Sequence, residues 1–186
     1  MLPYIETDRL LLRNISLEDA SDMYEYAKKP DVGPRAGWPP HKSIEETKVV
    51  IGLFKANAQR TGLGVFSIIL KDSGKMIGTI EIYNRVGNYK AELGYCLNPD
   101  YWGQGYTVEA SKAILKWAFE YLHLKRVQVG LFPDNRQSER VCQKLRMFYE
   151  GLLHKSYLLF DGTIKDEKIY SMTDDLYFKL KEEEDE

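Results

Sequence analysis

The sequence predicts an α/β fold in which a mixed, mostly antiparallel sheet is flanked by helices, and three observations carry that expectation. β-rich runs and amphipathic helical runs follow one another in an order that is neither regular βαβ alternation nor pure β. Hairpin-type turn signals, Asp72-Ser73-Gly74 and Asp161-Gly162, separate pairs of β-rich runs. A length of 186 residues with 44% apolar and 29% charged residues is a globular composition sized for one domain. The expected domain is 1–186, with a core over about 7–174 and an acidic tail at 181–186.

Taken in order, Arg9-Leu10-Leu11-Leu12-Arg13 reads as a first strand. Leu17 to Lys28 follows as a helix, capped by Ser16 with Asp19 three residues on and stopped by Pro30. Gly33 to Pro40 is dense in breakers and reads as a loop, in which Trp38 is either a lid residue or a packing plug. Ser43-Ile44-Glu45-Glu46 is a capping box opening a helix that ends near Gly62, with Val49, Val50, Leu53, Phe54 and Ala58 as its apolar positions. Val65 to Leu70, Met76 to Tyr83 and Ala91 to Leu97 form a meander. A helix then runs from about Thr107 to Leu122, with Ala110, Ala113, Ile114, Trp117, Ala118 and Tyr121 inward and Glu109, Lys112, Lys116 and Glu120 in water. Arg126 to Leu131 is a strand and Ser138 to Leu145 a short helix. Tyr149 to Phe160 and Thr163 to Thr173 make a final hairpin.

The formal net charge of −2 provides no basic field for nucleic acid. Cys96 and Cys142 have no spacing for a metal ribbon or a disulfide framework, which implies a reducing compartment. His41, His123 and His154 are scattered and support no metal site. The N-terminus carries charges where a signal peptide has its apolar run, and no stretch approaches the ~18 apolar residues of a membrane span. A cytoplasmic protein, monomer or homodimer, is therefore expected. The end, Glu182 to Glu186, is expected to be a solvated or frayed terminus rather than a partner-binding tail.

Chemistry concentrates where a strand leads through Trp102-Gly103-Gln104-Gly105-Tyr106-Thr107 into an amphipathic helix. Glycines there permit close backbone approach, and the first amides of a helix have no internal partners, so the turn suits a phosphate or pyrophosphate. A plain strand-to-helix connection is the competing reading. A dinucleotide fingerprint would need glycine at position 108, which is Val108, and the Gly-Lys-Ser/Thr of a P-loop does not occur.

Five segments occur in a familiar order: Gly37-Trp38-Pro39-Pro40-His41, Ile77-Gly78-Thr79-Ile80, Glu92-Leu93-Gly94-Tyr95, Tyr101-Trp102-Gly103-Gln104-Gly105-Tyr106, and Asn135 to Leu145. With Thr7 to Arg13 ahead of them, they resemble the GNAT superfamily of N-acetyltransferases, especially the branch that acetylates ribosomal-protein N-termini, as far as about Met172. The resemblance implies a GNAT-like fold splayed after Leu97, so that acetyl-CoA enters between that strand and Arg126 to Leu131. It implies a cofactor motif, Gln/Arg-x-x-Gly-x-Gly/Ala, that falls on Trp102, Gly105 and Thr107, two of which depart from it. The amides of Gly103 to Thr107, Gln104 and Tyr106 included, would hold the pyrophosphate, and Leu97 is counted among the cofactor contacts. The helix after Asn135 usually closes with Leu-Gly-Phe in relatives, whereas this chain has Leu145-Arg146-Met147.

The implied reaction, acetyl transfer from acetyl-CoA to a primary amine, needs a neutral amine and a proton for the leaving thiolate. An α-amine with a pKa near ~8 asks less of a base than a lysine-type amine near ~10.4. Glu92 is the expected base, against a surface ion pair as the plain alternative, with Asp166 in reserve. Ser138 matches the residue that the resembling branch uses as acid, against a helix cap as the alternative, with Tyr157 and Tyr170 behind it. Other relatives carry a tyrosine aligned with Cys142, which is expected here to be a small buried apolar residue. Asn135 is expected to reach the acyl-pantetheine arm. Arg140 and Lys144, one turn apart, either meet the cofactor's phosphates or form a solvated basic face. Trp38, Tyr83 and Tyr95 are expected as walls of an amine pocket or as core packing. The amine is a protein N-terminus or, alternatively, a small amine such as an aminoglycoside or polyamine, which would call for an open acidic pocket. A non-catalytic CoA-binding or interaction module is the third reading.

Overall fold

The computed structural model describes residues 2–185. Eight strands form one sheet: β1 (Ile5–Glu6), β2 (Leu10–Asn14), β3 (Val65–Leu70), β4 (Met76–Val86), β5 (Lys90–Leu97), β6 (Arg126–Leu131), β7 (Phe148–Leu158) and β8 (Ile164–Thr173). Their spatial order is β1-β2-β3-β4-β5-β6-β8-β7. Neighbours run antiparallel except β5 and β6, which pair in parallel.

That parallel ladder is short: it joins Lys90 to Arg126, Ala91 to Val127 and Glu92 to Gln128. The sheet therefore parts after Glu92, not after Leu97 as expected. β6 instead follows β8 along its whole length, from Arg126 opposite Thr173 to Leu131 opposite Lys168. β-periodicity marks where each strand lies but carries no information on where two parallel strands separate.

Six helices cover the faces: α1 (Ala20–Ala27), α2 (Gly33–Ala36), α3 (Ile44–Thr61), α4 (Tyr106–Lys116), α5 (Arg136–Lys144) and α6 (Asp174–Asp185). One core, holding Leu93, Ile114, Phe119 and Cys142, gathers α4, α5 and part of α6 against the sheet. A second, with Met23, Tyr26 and Ile51, seats α1 and α3 on the opposite face. Burying a side chain such as Phe119 or Ile51 contributes about 1.5–3 kcal/mol, so these faces fix where the helices lie.

Two expected helix faces are rotated. In α3, Val49 and Leu53 stand 63% and 64% exposed, and Thr47 and Ile51 are buried with Phe54 packed beside them. In α4 the helix widens into a π turn at Trp117–Tyr121, where the Leu122 N–H bonds back to the Trp117 carbonyl at 3.1 Å. The extra residue in that turn advances the register, burying Phe119 and leaving Tyr121 68% exposed instead of inward.

The expected loop at Gly33 to Pro40 contains the short α2, whose Pro34 fits a first-turn position. α5 begins at Arg136 rather than Ser138. Its exit, where relatives carry glycine, has Arg146 at φ 58° with the Met147 N–H bonded to the Cys142 carbonyl at 3.0 Å. The turn is thus kept with a non-glycine residue in the left-handed region. α6 replaces the expected frayed end: Glu184 pairs with Lys112 at 2.6 Å and Glu183 with Arg146 at 2.7 Å, and Tyr177 stacks on Phe119 at 4.9 Å. Glu186, the last residue of that expected tail, lies outside the described residues.

Candidate active site

The turn between β5 and α4 is built by residues from three parts of the chain. Asn98 accepts from the Asp100 N–H at 3.2 Å and from Lys29 Nζ at 3.2 Å, and Trp102 Nε1 donates to the Leu97 carbonyl at 2.9 Å. Leu97 and Trp102 thus close the loop on itself. Gly105 sits at φ 84° as the residue before α4, without a side-chain cap. The first amide to bond back to the loop is that of Glu109, onto the Gly105 carbonyl at 3.0 Å. Among the described residues, the N–H groups of Gly105, Tyr106, Thr107 and Val108 therefore donate to nothing. Together with the positive end of the dipole of an 11-residue helix, they offer donors to a phosphate.

Arg9 braces this turn from 95 residues away: its guanidinium donates to the Gln104 carbonyl at 3.0 Å and lies 4.3 Å from the Tyr106 ring centre. It is held in turn by Glu109, at 2.7 Å from Arg9 Nε, and Glu109 also accepts from Thr7 Oγ1 at 2.6 Å. Burial works to raise the Glu109 carboxyl, but the bonds from Thr7 and Arg9 hold it below the usual range. A Cβ on Gly105 would lie 3.5 Å from Arg9 Nη2. The free amides, the helix dipole and the Arg9 brace together make this turn suited to an anion such as a phosphate.

Across the parting of the strands, the Tyr95 hydroxyl of β5 lies 2.7 Å from Ser138 Oγ on α5 and 3.9 Å from Cys142 Sγ. Ser138 is not the helix cap. Asn135 caps α5, its side-chain oxygen accepting from the Ser138 N–H at 3.2 Å, which leaves the Ser138 hydroxyl to Tyr95. The same Asn135 side chain donates to the Arg35 carbonyl at 3.4 Å. Burial pushes the Tyr95 phenol up and the Cys142 thiol up to about 12, so both keep their protons at neutral pH. Tyr95, expected as a wall of the amine pocket, is placed on the other face of β5, where it serves the Ser138 end.

The opposite face holds a group of carboxylates and phenols. Tyr83 on β4 stands directly across from Glu92 on β5. Burial and the neighbouring Glu92 charge raise the Tyr83 phenol far above its ordinary value. Asn84 donates to Glu92 Oε1 at 3.1 Å. Tyr157 reaches this region from β7, with its ring edge-on to Phe132 at 5.2 Å and its hydroxyl against Gly37 so closely that a Cβ there would collide with it. Trp38 packs on Gly33 and lies 5.2 Å from the His41 ring, in the position of a packing plug. Asp166 is held by the Lys155 N–H at 2.7 Å and by His154 at 3.0 Å, and these bonds lower its carboxyl. The Tyr170 hydroxyl donates to Glu139 at 2.8 Å. Both reserve residues are thus engaged in hydrogen bonds of the fold.

Arg140 and Lys144 are exposed on α5 with no ion pair among the described residues, and Lys144 lines a groove of about 430 Å³ between α4, α5 and α6 with Lys112 and Lys116. Sequence reasoning missed Arg9, Glu109 and the Tyr95–Ser138 bond. Their partners lie far away in the chain, and only the Thr7 to Arg13 segment, which from Arg9 on reads as a first strand, carries a signal. Among the described residues, no helix is long and apolar enough to cross a membrane and no cluster of His, Cys, Asp or Glu could hold a metal ion.

Residues 9–147 match the family described as acetyltransferase (GNAT) domain. Over 173 residues the chain is 31% identical to the uncharacterized N-acetyltransferase YoaA of Bacillus subtilis, which covers 92% of this chain and 97% of that protein. Over 128 residues it is 30% identical to the ribosomal-protein-serine acetyltransferase of Escherichia coli, covering 67% of this chain and 70% of that one. The fold matches the crystal structure of an acetyltransferase (GNAT family) from Bacillus anthracis with a TM-score of 0.82 at 27% identity, covering 93% of this chain and 99% of the other.

Proposed function

The chain belongs to the acetyltransferase (GNAT) family, and from that premise we propose that it transfers an acetyl group from acetyl-CoA to the N-terminal α-amine of a protein or peptide in the cytoplasm. Acetyl-CoA supplies the activated acyl group as a thioester. The observation that carries this reading is the row of uncommitted amides from Gly105 to Val108 at the mouth of the parted strands, braced by Arg9. Arg140 and Lys144 are placed in the reading beside the cofactor's outer phosphates.

Glu92 accepts the proton of the attacking amine, directly or through one water, from the face it shares with Tyr83. Ser138, held in place by its hydrogen bond to the Tyr95 hydroxyl, delivers a proton to the departing sulfur and takes one back from solvent. Transfer is direct within a ternary complex. Cys142 is a buried thiol and Cys96 a half-buried one, both pushed up to about 12, which favours the neutral thiol over a thiolate nucleophile.

A small-amine substrate stays open as a second reading, since it calls for an acidic pocket and Glu81 joins Glu92 on this face. Acetyl-CoA turnover over a panel of peptide N-termini, aminoglycosides and polyamines decides: peptides with free α-amines should react and N-blocked peptides should not. Turnover confined to small amines would replace the first reading with the second, and no turnover with any amine would refute both.

A further inference from the structure

β5 pairs with β6 only from Lys90 to Glu92, and beyond that point each strand keeps its other neighbour, β5 on β4 and β6 on β8. In the plane of the sheet the gap between them therefore has two walls and a base. Its remaining side lies between Trp102, on the turn before α4, and the start of α5 at Arg136.

Arg35 of α2 crosses that side. Its guanidinium donates to Gln137 Oε1 on α5 at 2.9 Å and lies 5.9 Å from the centre of the Trp102 ring, while its carbonyl accepts from Asn135 Nδ2 at 3.4 Å. Two residues on, Gly37 follows α2 at φ 91°, with the Tyr157 hydroxyl of β7 where a Cβ would stand. One short segment is thus tied to the β5 side of the gap by Trp102 and to the β6 side by Asn135, Gln137 and Tyr157.

The tie made by the side chain is of a kind that opens. Arg35 and Gln137 are both exposed, and the guanidinium meets a neutral amide oxygen and the face of an indole. A neutral hydrogen bond at the surface exchanges against water at little net cost. Val32 and Trp38, on either side of α2, pack on the second core and hold the segment in place. What can swing aside is the Arg35 side chain rather than the helix.

We propose that Arg35 is a gate for cofactor exchange: its side chain bridges Trp102 and Gln137 across the open side of the gap, and acetyl-CoA enters and CoA leaves when that bridge parts. The gate rests on the acetyl-CoA reading above, which seats the cofactor in this gap. Closed over a filled gap as over an empty one, the bridge slows entry and exit alike and leaves their ratio, the dissociation constant, nearly unchanged. A side chain that only held the fold together would not produce that pairing of effects.

Stopped-flow mixing of CoA with the full chain, followed by tryptophan fluorescence, reads both rates. Arg35→Ala should raise the association and dissociation rates together by about 3–10-fold, with Kd changed less than about twofold. Gln137→Ala, which leaves α2 intact and removes the far end of the bridge, should act in the same direction, and the double variant should be no faster than Arg35→Ala. Unaltered rates in both variants would overturn the proposal. So would slower association with weaker, less salt-dependent binding in Arg35→Ala, which would make the guanidinium a direct contact of the cofactor's phosphates. A parent that binds no CoA would remove the cofactor reading and the gate with it, whereas CoA binding with rates indifferent to Arg35 removes the gate alone.

Discussion

The Tyr95 hydroxyl and Ser138 Oγ, 2.7 Å apart, join β5 to α5 over the gap that opens once β5 and β6 stop pairing. With Asn135 taking the cap, the serine hydroxyl has no other duty in the fold. Ser138→Ala should lower kcat by about 10²-fold with a smaller change in KM for acetyl-CoA, the mark of a group acting mainly in the transition state. Tyr95→Phe should lower kcat by about tenfold, and the double variant should be no slower than Ser138→Ala, because Tyr95 acts only through its bond to Ser138. Additive losses in single-turnover rates would separate the two residues.

The brace that Arg9 lays on the turn before α4 gives a different signature. Arg9→Ala removes the donor to the Gln104 carbonyl and strips Glu109 of its cation. KM for acetyl-CoA should rise roughly 3–10-fold, about 0.7–1.4 kcal/mol, while kcat at saturation holds. Initial rates over a range of acetyl-CoA concentrations check this, and a fall in kcat alone would show that Arg9 does not act through the turn.

Stability at low pH should depend on Asp19. Its side chain is 5% exposed, paired with Arg13 at 2.7 Å and bonded by Ser67 at 2.7 Å and by the Ser16 N–H at 2.9 Å. Burial favours the neutral acid, but these donors win and the folded-state pKa lies below the ordinary value. A depressed pKa stabilises the fold above the unfolded value of ~3.9, and that stability is lost as pH falls from there through the folded value. Asp19→Asn should cost about 2–4 kcal/mol at pH 7 by leaving Arg13 without its counter-ion. It should also flatten the loss of stability between pH 5 and pH 2, measured by urea unfolding at each pH.

How much of this was legible in the sequence depended on whether the signal was local. The meander of β3, β4 and β5, the opening of α3 at Ser43 and the glycine turn before α4 were all marked by nearby residues. The π turn at Trp117 was invisible, because a 3.6-residue period projected Tyr121 inward and one added residue turns it out. α6 escaped notice because its stability comes from contacts with Phe119, Lys112 and Arg146 rather than from its own apolar pattern. In the candidate site, the sequence pointed to Ser138 and Gly105 by motif. It could not show that Tyr95 turns toward Ser138 while Glu92 turns away, since that follows from which face of β5 each residue occupies.

Gly105 carries the most exposed consequence. At φ 84° it lies in the left-handed region, and its N–H and those of the next three residues donate to nothing among the described residues. Gly105→Val places a β-branched side chain where that backbone conformation is strained, 3.5 Å from Arg9 Nη2 at its Cβ alone. The strain costs about 1–3 kcal/mol if the turn is kept, and otherwise the turn shifts and its N–H groups leave their alignment. Gly105 itself belongs to neither core, although Trp102, Tyr106 and Val108 beside it pack on the first, so circular dichroism should stay near that of the parent. Affinity for CoA should fall by about tenfold or more, which is ~1.4 kcal/mol. Dephospho-CoA should weaken in parallel, since it keeps the pyrophosphate and lacks only the 3′-phosphate. Calorimetric titration of both ligands against parent and variant tests this, and a folded Gly105→Val protein that binds CoA as tightly as the parent would remove the pyrophosphate from this turn.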